Sequence, residues 1–281
     1  GTKEILLERD FTNKDGSLLP SLYFPMLERD GIAMNLISTR LGGVSEGQFR
    51  SLNLTTGRGD SKENVLENFS RIAAAFGTDP AHCICSHQVH ETKVRRVGRE
   101  DAGMGLLRPM VWESADGVVT NEPGLVLSTF YADCVPLLFV DPVRHAVGAS
   151  HSGWRGTVGK IGAETVRTMQ EEFGTDPADL LVGIGPKRTD ISAFSSACPM
   201  TEQELRIAGC ADIRHRDILA DGQSGVKNAA VLQCLQLLAH KPGCNGGPGA
   251  VLCESKGTVL NSQRLHILNE TGNGRNIRPG A

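Results

Sequence analysis

The sequence lacks the signatures of several large enzyme classes. No Walker A loop, G-x-G-x-x-G turn, H-E-x-x-H helix or G-x-S-x-G elbow occurs in its 281 residues, so P-loop, dinucleotide-binding, zincin and α/β-hydrolase chemistry lose support. No apolar run approaches the roughly 20 residues that a bilayer-spanning helix needs. The opening Gly1-Thr2-Lys3-Glu4 has neither the basic nor the apolar region of a secretory signal. A formal net charge of -3 makes no general electrostatic case for nucleic acid. There is no C-x-x-C pair, which weakens a zinc-ribbon reading. Eight cysteines are scattered through a chain much larger than disulfide-stapled secreted domains. Cys83, Cys85, Cys134, Cys234 and Cys253 lie in apolar contexts, where a reduced thiol behaves as a small hydrophobe. The expectation is a reduced, cytoplasmic protein with no membrane, nucleic-acid or obligate protein partner.

What is present is concentrated in three short segments: Gln88-Val89-His90, Ala132-Asp133-Cys134 and His151-Ser152-Gly153-Trp154-Arg155-Gly156. Two imidazoles and one thiolate suit a tetrahedral Zn²⁺, and three protein ligands leave a fourth position for substrate or water. His90, Cys134 and His151 are therefore the candidate metal ligands. The composition, 40% hydrophobic and 22% charged, is that of a globular protein with a sizeable core.

No repeat or long linker divides the sequence, and residues 1–281 are expected to form a single catalytic domain with a mobile tail over 270–281. Met34–Thr39 reads as a strand that turns away at Gly42-Gly43. Asp60 and Glu63 suggest a capping box. The helix behind it has Val65, Leu66, Phe69, Ile72, Ala73 and Phe76 on one face, and Gly77 stops it. Cys83–Ser86 reads as a strand with Thr92–Val97 as its partner, and His90 between them on a turn or strand end. Gly117–Val119 and Leu125–Phe130 read as buried strands. Val135–Val140 and Ala146–Ser150 form a hairpin about the turn Asp141–Arg144, which returns His151 to the end where Cys134 starts. A helix from near Thr157 has Val158, Ile161, Thr165, Val166, Met169 and Phe173 on one face and Gly174 at its end. Leu180–Ile184 reads as a strand, Thr201–Glu204 as a helix start and Asn228–His240 as a last helix. Strands interleaved with helices predict an α/β or α+β domain with mixed sheets.

Each candidate also has a plainer interpretation. Cys134 alone is an ordinary core thiol, but the hairpin brings it to His151. His90 alone is an ordinary surface histidine. Cys83, Cys85 and His87 form a rival ligand set, although alternating cysteines on an apolar strand usually pack. The glycines around Trp154-Arg155 imply a tight turn before a helix N-terminus, a place for an anion beside the Arg155 guanidinium. Equally, Trp154 anchors the core and Arg155 pairs with a carboxylate. Arg40, ahead of Gly42-Gly43, is either part of an anion-binding turn or a surface arginine.

At these residues the sequence resembles the YfiH-like, or laccase-domain, family, also described as multicopper polyphenol oxidoreductase laccase. The carrying motifs are Ser38-Thr39-Arg40 with Gly42-Gly43-Val44-Ser45, Leu52-Asn53-Leu54, Gln88-Val89-His90 and Ala115-Asp116-Gly117 with Thr120-Asn121. They continue through Ala132-Asp133-Cys134 and His151–Gly156, and cover roughly residues 34 to 186. The chain departs from the family pattern after Gly185-Pro186. The resemblance implies a layered α/β/β/α sandwich of the cytotoxic necrotizing factor type with mixed sheets. It also implies one zinc ion on His90, Cys134 and His151, with copper as the alternative. Implied too is phosphorolysis of adenosine, inosine, guanosine and methylthioadenosine, with adenosine deaminase activity; purine nucleoside and phosphate are the expected partners. Peptidoglycan editing and copper-dependent phenol oxidation are further activities linked to the family.

Residue counts discriminate among these chemistries. Four coppers need on the order of ten histidines, and this chain has eight, none in a His-x-His pair. A zinc enzyme fits better, with Cys134, His151, Arg40 and Arg155 as the catalytic set. A cysteine hydrolase with Cys134 as nucleophile and His151 as base and a non-catalytic zinc-binding protein are the other readings.

Overall fold

The computed structural model describes residues 6–186 and 231–237 of the chain. In order these form β1 (Leu7–Thr12), β2 (Leu18–Tyr23), β3 (Ala33–Ser38), α1 (Lys62–Ala75), β4 (Cys83–Cys85) and β5 (Val94–Arg96). There follow β6 (Gly117–Thr120), β7 (Val126–Tyr131), β8 (Val135–Asp141), β9 (Ala146–Ser152), α2 (Trp154–Val158), α3 (Ile161–Phe173), β10 (Leu181–Ile184) and β11 (Val231–Leu237). The strands make a six-stranded sheet, β1-β2-β3-β11-β7-β4, and a five-stranded sheet, β10-β8-β9-β6-β5. Both are mixed, with parallel pairing at β4–β7 and β5–β6.

Alternation along the strands stacks these sheets. Ile37, Ile84, Leu127 and Leu235 of the first sheet pack with Val118, Leu138, Val140 and Val147 of the second. Their neighbours Leu36, Cys83, Cys85 and Val126 face the other way, onto Val65, Phe69 and Ile72 of α1. On the far side of the second sheet, Val119 and Phe139 pack on Ile161, Val166 and Met169 of α3. The order of layers is α/β/β/α, as expected for an α+β sandwich. Full burial of each large apolar side chain contributes roughly 1.5–3 kcal/mol, so each interlayer seam is held by several such terms.

The central hairpin has the expected form, with Val135 opposite Ser152 and Asp141 opposite Ala146. Several details differ. The cap of α1 is Ser61, whose side chain accepts from the Asn64 amide. Asp60 instead accepts from Ser45 Oγ and Asn53 Nδ2 at 2.6 and 2.9 Å. Leu66 lies outside the apolar stripe and is exposed, whereas Asn68 is buried in it. β4 and β5 are not partners: they pair with β7 and β6, in different sheets. The helix expected from Thr157 starts at Trp154 and is cut in two at Lys160, where φ is 63°. This interruption leaves Val158 exposed, while the rest of the predicted face is buried or half-buried.

Residues 231–237 form a strand, not part of a helix. Val231-Leu232-Gln233-Cys234-Leu235-Gln236-Leu237 carries apolar positions compatible with either period, and the slot between β3 and β7 decides. Antiparallel partners on both sides, Ile37 to Gln233 and Tyr131 to Val231, give its backbone two ladders, and tertiary pairing overrides a weak local preference. The helix start at Thr201 and the 270–281 tail lie outside the described residues. Among the described residues no helix is long and apolar enough to cross a membrane.

Candidate active site

The β8–β9 register fixes the first half of the site. Pro136 pairs with His151, so Cys134, at the mouth of β8, meets the end of β9. His90 arrives on the crossover from β4 in one sheet to β5 in the other. The ligand atoms of His90, Cys134 and His151 all lie within 4.8 Å of one another, the only such trio of His, Cys, Asp or Glu among the described residues. Cys134 Sγ is 3.9 Å from His90 Nε2, and the two imidazole planes are nearly perpendicular, with centroids 4.8 Å apart. Zinc–sulfur and zinc–nitrogen bonds at a tetrahedral angle require a separation of about 3.6 Å between the two donors. The donor set fits one such ion; the Cys134–His90 pair would close by a few tenths of an ångström and the widest pair, within 4.8 Å, by about 1 Å.

The trio is graded in depth: His151 is buried, Cys134 half-buried and His90 exposed. Tyr131 lines the interior side, its ring 5.6 Å from His151 and its hydroxyl donating to the Ser150 carbonyl. Gly153 closes the trio from beneath. A Cβ there would lie 2.9 Å from His90 Cδ2, 3.2 Å from Cys134 Sγ and 3.5 Å from His151 Cε1, so any larger residue would push His90 away from the other two.

One residue bonds to two members of the trio. Asp116, fully buried just ahead of β6, accepts the backbone N–H groups of Val89, His90 and Glu91, each at 3.0 Å. Its Oδ1 also accepts from His151 Nδ1 at 2.9 Å. Burial opposes the Asp116 charge, but the bonds from His151, Glu91 and Val89 outweigh it and hold the carboxyl below its ordinary range. Burial, with His151 and Arg155 nearby, pulls the His90 imidazole down against the pull of Asp116. Burial, aided by Asp133 and Asp116, pushes the Cys134 thiol up to about 11. A thiol so placed is a weak nucleophile at neutral pH, which disfavours the cysteine-hydrolase reading, whereas a divalent cation would deprotonate it on binding.

The arginines separate. Arg155 lies on the exposed flank, its guanidinium 5.3 Å from the exposed Trp154 ring and close enough to His90 to affect its charge. Trp154 is no core anchor: it is 45% exposed. The expected helix N-terminus is a single turn that already contains Arg155, so the guanidinium is the group left to meet an anion. Arg40 lies two residues past β3, half-buried, its carbonyl accepting from Ser51 and Leu52; its guanidinium has no hydrogen bond or ion pair among the described residues, and none joins it to the trio. The rival set does not assemble, because Cys83 and Cys85 are packed under α1 and His87 Nδ1 bonds the Trp112 carbonyl. A surface cleft of about 460 Å³ beside Glu91 and α3 has its Arg167 committed to Glu164 and Glu171.

Asp116 and Gly153 were present in the sequence motifs without an assigned role. An acid between Ala115 and Gly117 at the mouth of an apolar strand, and a glycine two residues past a candidate ligand, are the signals that mark them.

Residues 34–193 match the family model described as multi-copper polyphenol oxidoreductase laccase. The chain is 38% identical over 162 residues to the purine nucleoside phosphorylase YlmD of Bacillus subtilis, covering 57% of this chain and 56% of that one. It is 31% identical over 204 residues to the human purine nucleoside phosphorylase LACC1, covering 67% of this chain and 45% of that one. The chain thus spans about half the length of the curated relatives it matches. Among solved structures, the hypothetical protein YfiH of Bacillus licheniformis superimposes with a TM-score of 0.61 at 25% identity, over 77% of this chain and 96% of that one.

Proposed function

This chain belongs to the multi-copper polyphenol oxidoreductase laccase family, and from that premise we propose that it is a zinc-dependent purine nucleoside phosphorylase. It would cleave the glycosidic bond of adenosine, inosine, guanosine or methylthioadenosine with inorganic phosphate, and deaminate adenosine as a companion reaction. The observation that supports this over a four-copper oxidase is the single two-histidine, one-cysteine cluster among the described residues. The names of the relatives supply the substrate class.

His90, Cys134 and His151 would hold the ion, which supplies a Lewis acid when bound. The remaining roles belong to the chain itself. Arg155, exposed beside His90, is placed to hold the phosphate in its planar fork. Trp154 offers an exposed aromatic face against which a purine can lie. The role of Arg40 as a second phosphate holder rests on the family resemblance. With His151 buried and His90 at the surface, substrate approaches from the His90 side.

Incubation with inosine and phosphate should yield hypoxanthine and ribose 1-phosphate. Equal turnover with and without phosphate would exclude phosphorolysis, and ammonia release from adenosine tests deamination separately. Cys134→Ala should lose activity on the order of a hundredfold or more together with bound zinc. If that variant kept both, the site assignment would fail.

A further inference from the structure

The metal-centre reading gives Asp116, a buried carboxylate outside the trio, no direct part in holding the ion. Asp116 is 0% exposed, and its two oxygens meet donors only: three consecutive amides and one imidazole nitrogen. A carboxylate is acceptor-only when ionised and can satisfy all four, which neither an amide nor a hydroxyl can do. Burying a charge is otherwise so unfavourable that it marks a site where every one of those donors matters.

The geometry divides the work between the oxygens. Oδ2 takes the amides of Val89 and Glu91, while Oδ1 takes the amide of His90 and the Nδ1–H of His151. Between those two outer amides His90 has a φ of 67°, a conformation rare and costly for a residue bearing a Cβ. Three amides drawn to one carboxylate hold it there. The fourth bond sets a proton: with Nδ1–H donated to Asp116, the Nε2 of His151 carries only a lone pair. One atom, Oδ1, thus couples the backbone of one ligand to the ring of the other.

We infer that Asp116 is the positioning residue of this centre, which fixes the strained turn that presents His90 and the tautomer in which His151 offers Nε2. The inference rests on the reading of the trio as zinc ligands and extends it to a residue outside the trio. A carboxylate that merely braced the loop would leave the ring tautomer of His151 unaltered.

Histidine ¹⁵N NMR on the metal-free full chain tests this, with His151→Gln identifying the ring resonance. Wild type should show His151 as the Nδ1–H tautomer, and Asp116→Asn should move it towards Nε2–H, because the amide cannot satisfy all four donors. Zinc titration against a chromophoric chelator should find Asp116→Asn weaker by about 10- to 100-fold. A wild-type His151 in the Nε2–H form overturns the inference even if Asp116→Asn does not fold. So does a folded Asp116→Asn that binds zinc as wild type does. If the wild-type chain takes up no zinc, the metal-centre reading fails, while the tautomer still decides what Asp116 does.

Discussion

Two loops of this molecule are each pinned by one buried side chain, and the two pins differ in charge. On α1, Asn68 accepts the Val44 amide through Oδ1 at 2.8 Å and donates through Nδ2 to Ser45 Oγ and the Asn53 carbonyl at 2.9 and 2.8 Å. It holds the loop that follows β3 and Arg40. Ahead of β6, Asp116 holds the loop carrying His90, but accepts from all of its partners. A neutral amide suffices where partners are mixed donors and acceptors; a carboxylate is required where they are all donors. On the proposed reading, the charged pin is the one that serves the metal centre. Asn68 braces architecture, and Asp116 braces a ligand ring as well as a loop.

Exchanging the pins is the strongest way to break that comparison. Asn68→Asp would place a carboxylate against the Asn53 carbonyl and is expected to destabilise the fold by about 3–5 kcal/mol, the scale of an unpaired buried charge. Asp116→Asn would leave one backbone donor unsatisfied once His151 changes tautomer and should cost about 1–3 kcal/mol. Urea melts of both variants measure these losses. Near-equal, small losses would mean that both pockets are wet enough to tolerate either group, and the distinction would collapse.

How legible these features were in the sequence follows the same division. The β8–β9 hairpin was readable because two apolar runs flank an Asp-Pro turn, and its register brought Cys134 to His151 without further help. The α1 stripe was readable too, although Ser61 takes the capping role expected of Asp60: the shorter side chain reaches the Asn64 amide and leaves Asp60 to Ser45 and Asn53. The meeting of His90 with the other two was not legible from spacing, since it depends on a crossover between sheets and on Asp116, 26 residues away. β11 escaped because its partners are a hundred or more residues distant and its own pattern suits either period. Long-range pairing, where local preference is neutral, is the part that a linear reading misses.

A smaller perturbation sharpens the comparison at the ligands themselves. Gly153 has φ -70° and ψ 171°, a conformation any residue adopts, so Gly153→Ala tests space rather than backbone strain. Its methyl would press on His90 first, at 2.9 Å, and then on Cys134. The expected result is a loss of zinc affinity of about tenfold, worth about 1.4 kcal/mol, with the melting temperature nearly unchanged. A large drop in melting temperature with zinc affinity intact would place Gly153 in the architecture, alongside Asn68.

The smallest expected effect comes from acid, because only one of the two pins titrates. The folded Asp116 carboxyl is held below its ordinary value of 3.8. As pH falls through the ordinary range, the unfolded chain therefore takes up its proton first. The stability from Asp116 is complete above about pH 4 and is lost as pH drops towards the lower, folded value. His90 acts earlier and in the same direction: held below its ordinary 6.5, it favours the fold less as pH falls below that value. Asn68 has no proton to gain. Hydrogen exchange on the metal-free chain should accordingly show the amides of Val89, His90 and Glu91 losing protection as pH falls below about 4 while the Val44 amide keeps its own. Simultaneous loss at both loops would report global unfolding, and the two pins would then belong to one cooperative unit rather than to separate architectural and chemical ones.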